Sequence, residues 1–197
     1  MVMTRPLDMF DQYVAVSGTW QWDDQARVIN VRGDVRIRFS FQDSSGVWIP
    51  YEFGEVSGDF DCHAQRLTSL YNAPRKVGGN FYANYLPLQS LEDGPVYVGG
   101  DYYVDNCSKL TSLKGLAPEI GGELRVEWRP IMPLLSTLVA QGGVNLQRPT
   151  PSATWADIHN TDKVKQILNK YAGGGRKVAL SCAAELVKAG FRENAKW

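Results

Sequence analysis

Three stretches of the chain lie over one another almost position for position: VSGDFDCHAQRLTSLYNAP from Val56, VGGNFYANYLPLQSLEDGP from Val77, and VGGDYYVDNCSKLTSLKGLAP from Val98. A fourth start, IGGELRV, begins at Ile120, so the starts are 21, 21 and 22 residues apart. The pairs Leu67/Leu70, Leu88/Leu91 and Leu110/Leu113 recur with nearly the same period. A fixed period of this length marks an array in which a single unit cannot cover its apolar face and neighbouring units bury it together. Within the unit the residues alternate. Phe60 and Cys62 face inward, in columns with Phe81 and Ala83, Tyr102 and Val104, and Leu124 and Val126. Such alternation is that of a strand, and stacking the units makes a ladder of parallel strands. The Gly-Gly or Ser-Gly pair before each strand fits a tight corner where a side chain would clash. Pro74, Pro95 and Pro118 mark the returning loop.

The pattern extends upstream and decays downstream. VRGDVRI from Val31 matches the opening of the unit and reads as a divergent first rung, with a longer loop before Val56. Before it, TWQW alternates ahead of the turn-forming Asp23 and Asp24, so residues 1–30 read as a β cap. After Val126, Pro133 to Leu146 reads as a short helix followed by a last strand, and PTPS from Pro149 as the start of a linker. The period then becomes helical. Val164, Ile167, Leu168 and Tyr171 follow a cap at Asn160 or Thr161, and Gly173 to Gly175 break the run. A second helix places Val178, Ala179, Cys182, Ala183, Leu186 and Val187 on one face and stops at Gly190. The expected architecture is β-rich and mixed: a cap at 1–30, a solenoid at 31–148, a linker at 149–160 and a helical hairpin at 161–197. The hairpin or the Pro133 to Leu146 segment is expected to cover the open end of the stack.

The chain has 197 residues, 44% apolar, and 21 basic against 21 acidic side chains. That balance points to neither nucleic acid nor an acidic membrane as partner. No window approaches the eighteen or so apolar residues of a bilayer span, and MVMTRPLDMF lacks the layout of a signal peptide. Three cysteines at unrelated spacings form neither a disulfide framework nor a zinc knuckle, which fits free thiols in a reducing cytoplasm.

The unit FxCxxQxLTSL, Phe60 to Leu70, resembles the leucine-rich repeat, whose strand and turn read LxLxxNxL. The short period and the LTSL…AP return resemble the bacterial type found in secreted effectors. More closely, FGEVSGDFDC followed by LTSL, AP and VGG is similar to repeat proteins encoded by tailed bacteriophages, and ILNKYAGGGRKVALSCAAELVKAGFRENAKW from Ile167 resembles their C-terminal segment. The resemblance covers about residues 28 to 135 and 160 to 197. It implies a leucine-rich-repeat type solenoid, a phage origin and a bacterial host cytoplasm, and it carries no activity. The asparagine position departs from the family pattern, with Gln65 and Leu86 in the first two units and an extra residue near Cys107 in the third, so a regular asparagine ladder is not expected.

Few residues point to catalysis. Asp59 and Asp61 lie on one strand face, as an acid and base acting on a sugar would, although acids on a solvated face are the commoner case. GGGRK, Gly173 to Lys177, lacks the spacing and the hydroxyl of a phosphate loop. Arg32, Gly33 and Asp34 spell an integrin-type tripeptide that the repeat itself explains. His63 and His159 have no ligand partner at metal spacing. Trp20 and Trp22 could stack on a sugar but suit a cap packed on the core. No cofactor is implied. What remains is the outward strand face, with columns Asp59/Asn80/Asp101/Glu123, Asp61/Tyr82/Tyr103/Arg125 and His63/Asn84/Asp105/Glu127, preceded by Arg36 and Arg38. Tyrosines ringed by charge are typical of interface hot spots. The expected function is therefore non-enzymatic binding of a bacterial host protein through Asp59, Asp61, Asn80, Tyr82, Asp101, Tyr103, Asp105, Glu123 and Arg125. The alternatives are a virion or assembly component and a glycan-acting enzyme.

Overall fold

The computed structural model describes residues 9–43, 46–148 and 154–197. The stretch read as the start of a linker, Pro149 to Ser152, lies outside them. A short helix, α1 (Phe10–Tyr13), leads into β1 (Val14–Asp23), which folds back antiparallel on β2 (Val28–Ile37). A small antiparallel ribbon, β3 (Phe41–Asp43) and β4 (Gly46–Trp48), stands on the loop that follows. Thereafter each turn of chain supplies two short strands: β5 (Phe53–Val56) and β6 (Phe60–Asp61), β7 (Lys76–Val77) and β8 (Phe81–Tyr82), β9 (Tyr97–Val98) and β10 (Tyr102–Val104), then β11 (Glu119–Ile120) and β12 (Leu124–Glu127). β13 (Val144–Gln147) closes the array. The result is a parallel β-solenoid of about six turns.

The two strands of each turn lie on either side of a corner, so two ladders run up the molecule. The first half of β2, then β5, β7, β9 and β11, form one ladder, and the second half of β2, then β6, β8, β10, β12 and β13, form the other. Alternation in the sequence predicts only the second. β2 belongs to both and is continuous from Val28 to Ile37, so cap and first rung share one strand. At the corners the turns touch backbone to backbone. A Cβ at Gly78 would lie 2.3 Å from Ser57 O, and one at Gly99 2.2 Å from Gly78 O, distances no side chain tolerates. The Gly pair is thus a stacking requirement, as its position before each strand implied.

The interior is a column of rings and aliphatic side chains. Phe53 meets Phe60 edge-on with ring centroids 5.3 Å apart, Phe60 stacks on Phe81 at 5.7 Å, and Phe81 meets Tyr102 at 4.9 Å. The paired leucines Leu67 and Leu70, Leu88 and Leu91, and Leu110 and Leu113 close the core from the returning side, and all are buried. Cys62 and Cys107 lie buried inside as thiols, Cys182 likewise under the C-terminal helices. Burial in apolar surroundings raises all three thiols, Cys107 and Cys182 to about 11.

The Pro133 to Leu146 segment is a 3₁₀ turn (Leu135–Val139) followed by β13, as its sequence indicated. Beyond it, α2 (Trp155–Asn169) starts earlier than the sequence reading placed it. Thr154 caps it, accepting from the Asp157 N–H at 3.2 Å while Asp157 accepts from the Thr154 N–H at 2.9 Å. This capping box outcompetes Asn160 and Thr161, which lie inside the helix, and the segment assigned to a linker is helical from Trp155. Gly173 and Gly175 turn the chain through a 3₁₀ segment (Gly175–Val178) into α3 (Ala179–Lys188). Cys182 and Leu186 of α3 are buried, whereas Val187, assigned to the same face, is 44% exposed.

These helices cover the end of the solenoid. The Asn169 amide accepts from Val144 N–H at 2.7 Å and donates to Val144 O at 2.9 Å, bonding the edge of β13 as another strand's peptide would. The tail returns to the loop after β12, where Asn194 Nδ2 donates to Met132 O at 2.7 Å and Arg129 O at 3.1 Å.

Candidate functional site

Parallel register sets the outward face. Arg36, Asp61, Tyr82, Tyr103, Arg125 and Asn145 follow one another in the central column, one per turn. Neighbouring parallel strands put equivalent side chains about 4.8 Å apart, the spacing of stacked rings. Tyr82 and Tyr103 accordingly stack with centroids 4.8 Å apart and planes 14° from parallel. Arg125 extends the stack, its guanidinium carbon 5.0 Å from the Tyr103 centroid. Both rings are half-buried, more covered than the sequence reading assumed, because each leans on its neighbour. Tyr103 Oη donates to Asp101 Oδ2 at 2.9 Å, and Asn80 Nδ2 donates to Tyr82 Oη at 3.2 Å. Desolvation, then the bond to Asp101, pushes the Tyr103 hydroxyl up to about 12, and desolvation raises Tyr82 as well, so both hydroxyls stay protonated.

The column nearest the corner has a different job. Asp34 Oδ1 accepts from the Asp59 N–H at 2.9 Å, Asp59 Oδ1 from Asn80 N–H at 2.7 Å, Asn80 Oδ1 from Asp101 N–H at 2.8 Å, and Asp101 Oδ1 from Glu123 N–H at 2.7 Å. Each side chain thus bonds the backbone of the next turn at the corner, beside the glycine backbone bonds that join the turns there, such as Gly79 N–H to Gly58 O at 2.9 Å. Asp59, Asn80 and Asp101, placed among the binding residues from sequence, are first of all struts of the solenoid. The second glycine of each corner makes room for them, since a Cβ at Gly79 would meet Asp59 Oδ1 at 2.2 Å and one at Gly100 would meet Asn80 Oδ1 at 2.4 Å. The Asp34 of the Arg-Gly-Asp tripeptide is held in the same ladder and is also bonded to Ser17 Oγ at 2.9 Å.

The third column sinks as it rises. His63 lies beside Asp61, with Nδ1 2.5 Å from Oδ1, and the same oxygen accepts from the His63 backbone N–H at 3.1 Å. Arg36 Nε approaches the other oxygen of Asp61 at 3.7 Å. Two and three turns on, Asp105 is only 8% exposed and Glu127 6%, so the outward placement expected of them is wrong: they lie under Asn106 and Arg129. Burial raises Glu127 above the usual carboxylate value, with Asp105 adding to the effect and Arg129 opposing it. Asn84 Oδ1, Asp105 Oδ1 and Arg125 Nε are buried on this face without a hydrogen-bond partner among the described residues.

At the far end the central column of the face continues one turn beyond Arg125, the last residue that the sequence places in it, to Asn145. Asn145 Nδ2 donates to Glu123 Oε1 at 3.0 Å, and Lys165 of α2 reaches Asn145 Oδ1 at 2.9 Å. The VNLQ strand had supplied the signal, with Asn145 two residues beyond a glycine. Glu123 also faces Arg125 at 3.6 Å.

Chemically, the face offers aromatic edges, a guanidinium and bound carboxylates. It shows no nucleophile with an orienting base, and Asp59 and Asp61 are engaged by Asn80 and His63 instead of being poised as a pair. Among the described residues no group of histidines, cysteines and acids could hold a metal ion, and no helix is long and apolar enough to cross a membrane. Trp20 and Trp22 pack against the core, with Trp20 4.8 Å from Phe10. Arg176 of the glycine-rich turn lies over Trp197, at 5.1 Å. No family model, curated protein or solved structure matches the chain.

Proposed function

We propose that the chain is a non-enzymatic interaction protein of leucine-rich-repeat type, encoded by a bacteriophage, which binds a host protein through its outward sheet face to inhibit or redirect it. The observation that carries the reading is the Tyr82–Tyr103–Arg125 stack. Aromatic rings fixed in one geometry lose little freedom on binding, and tyrosine and arginine dominate measured hot spots. The pinned carboxylates of Asp61, Asp101 and Glu123 set a charged rim that favours a partner with a basic patch. The repeat resemblance supplies the phage origin and the leucine-rich type, and the solenoid supplies the extended surface such proteins use.

The test is affinity capture from host lysate with the wild-type chain and with the Tyr82→Ala/Tyr103→Ala double variant, followed by titration of the captured protein. Each hot-spot tyrosine contributes about 2 kcal/mol or more, so affinity is expected to fall far more than tenfold. Folding should change little, since the rings pack mainly on each other. Equal affinity of the double variant for the same partner would overturn the assignment of this face.

A further inference from the structure

The two ends of the solenoid are finished differently. At the C-terminal end β13 is covered by α2, and the Asn169 amide occupies the edge of the strand. At the other end stands β1, ten residues long, paired with β2 on one side and, among the described residues, with no strand on the other. Its hydrogen-bonding groups can be assigned by alternation. In β2, Ile29 N–H donates to Glu52 O, Val31 O accepts from Ser57 N–H, Gly33 O accepts from Gly58 N–H and Val35 N–H donates to Asp59 O, so the odd-numbered residues of β2 serve the next turn. The even-numbered ones therefore face β1, opposite Ala15, Ser17, Thr19 and Gln21. That leaves Val16, Gly18, Trp20 and Trp22 with their peptide groups directed outward.

Natural edges of this length are blunted by charge, proline or a covering element. From Val14 to Trp22 the strand has no charged residue and no proline. It is also self-complementary. Set antiparallel to a second copy about Gly18, Val16 falls opposite Trp20 and Val14 opposite Trp22, both pairs of aliphatic against aromatic on the core side. Ser17 falls opposite Thr19 on the solvent side. The register requires each outward-facing peptide to meet another, and it does, because all these core-side positions are even. The bend at the corner is accommodated too. Gly18 already lies opposite Gly33 of β2 in an antiparallel pair that turns the same corner, with φ of +133° and +130°.

We propose that two copies of this chain join end to end through their β1 edges, antiparallel about a two-fold axis at Gly18, into one continuous solenoid of doubled length. The half-buried rims of Val16, Trp20 and Trp22 become interior, and the dimer closes, since a two-fold contact uses the same patch on both copies. The half of β1 beside the tyrosine ladder pairs with the half beside the partner's shorter ladder. The two Tyr82/Tyr103 strips consequently open on different sides, and the dimer has two separate binding faces.

Sedimentation velocity of the full chain in the micromolar range should give twice the 22.0 kDa of one chain. Val16→Lys places an ammonium on the core side of the edge and should give a single chain with an unchanged circular-dichroism spectrum. A second measurement does not depend on that variant folding. Ser17 and Thr19 of opposite copies would have Cα atoms about 4.5 Å apart, within disulfide reach, whereas Ser17 and its own counterpart, two residues out of register, would be about 7 Å apart or more. The native cysteines are buried and do not compete. Mixed Ser17→Cys and Thr19→Cys chains should therefore form a covalent dimer under mild oxidation, and Ser17→Cys alone should not. A single-chain mass for the wild type overturns the proposal, as does a well-folded Val16→Lys chain that still dimerises or an Ser17→Cys chain that cross-links as fast as the mixture.

Discussion

Tyr85 holds a φ of +59°, in a place that Ala64 (+53°) and Asn106 (+57°) occupy in the neighbouring turns. Residues with a Cβ avoid this region at a cost of about 1–2 kcal/mol, and asparagine pays least. Tyr85 is 59% exposed and contributes little packing in return. Tyr85→Asn, copying Asn106, is expected to stabilise the chain by about 1 kcal/mol in a denaturant titration. Glu127 tests electrostatics at the same scale. Because burial raises its folded-state value, the folded chain binds that proton more tightly than the unfolded one. The resulting stability is complete below the unfolded carboxylate range and is lost as pH rises through the raised value. Glu127→Gln removes the loss, so the variant should match the wild type in acid and exceed it at neutral pH. A difference of opposite sign would mean that the Arg129 contact outweighs desolvation. At this scale the inside-outside assignment of the strands was legible, since it follows from alternation alone. The strut role of Asp59, Asn80 and Asp101 was missed, since these residues were assigned to partner binding, although a short polar residue directly after each glycine corner, repeated every turn, is the pattern of side chains that bond backbone. The burial of Asp105 and Glu127 was not legible, because Arg129 and Asn106 reach over them from outside the column.

Elements were read well where their apolar pattern runs past one period and poorly elsewhere. The strands β7, β9 and β11 have two residues each and one buried position before the glycine corner, whereas the other ladder continues inward at Cys62, Ala83 and Val104, so the first ladder was missed although Val77, Val98 and Ile120 had been aligned. α2 was found from its apolar spacing, but its start depends on the Thr154–Asp157 box six residues earlier. The interaction that docks this helix is local and testable. Asn169→Ala removes two hydrogen bonds from Val144, and a neutral hydrogen bond contributes about 1 kcal/mol. Stability should fall by about 1–2 kcal/mol, with faster amide exchange at Val144 and no change at Phe81 in mid-solenoid. Uniform acceleration along the chain would instead show that the end and the middle unfold as one unit.

For the whole molecule, the decisive question is how the stack is terminated. A chain ending at Arg148 keeps every strand but exposes the edge of β13 and the apolar end beneath α2 and α3. It is expected to melt about 5 °C lower or more, on the scale of 2–4 °C per kcal/mol for a chain of this size, and to self-associate in sedimentation. An equally stable, monodisperse product would make the helices an independent module. That outcome would also free α3, with Leu180 and Val187 exposed, for a separate partner. By itself the sequence determined the period, the columns, the corners and the presence of two C-terminal helices, because each is written as spacing along the chain: 21-residue recurrence, twofold alternation, paired glycines, apolar residues at helical intervals. Only the tertiary structure decided that each turn has a second strand, that Asn169 substitutes for a missing strand, and that Tyr82, Tyr103 and Arg125 form one stack flanked by struts. Those features depend on residues about 20 or more positions apart being brought to one rung spacing, a distance that stacking sets and no local pattern contains.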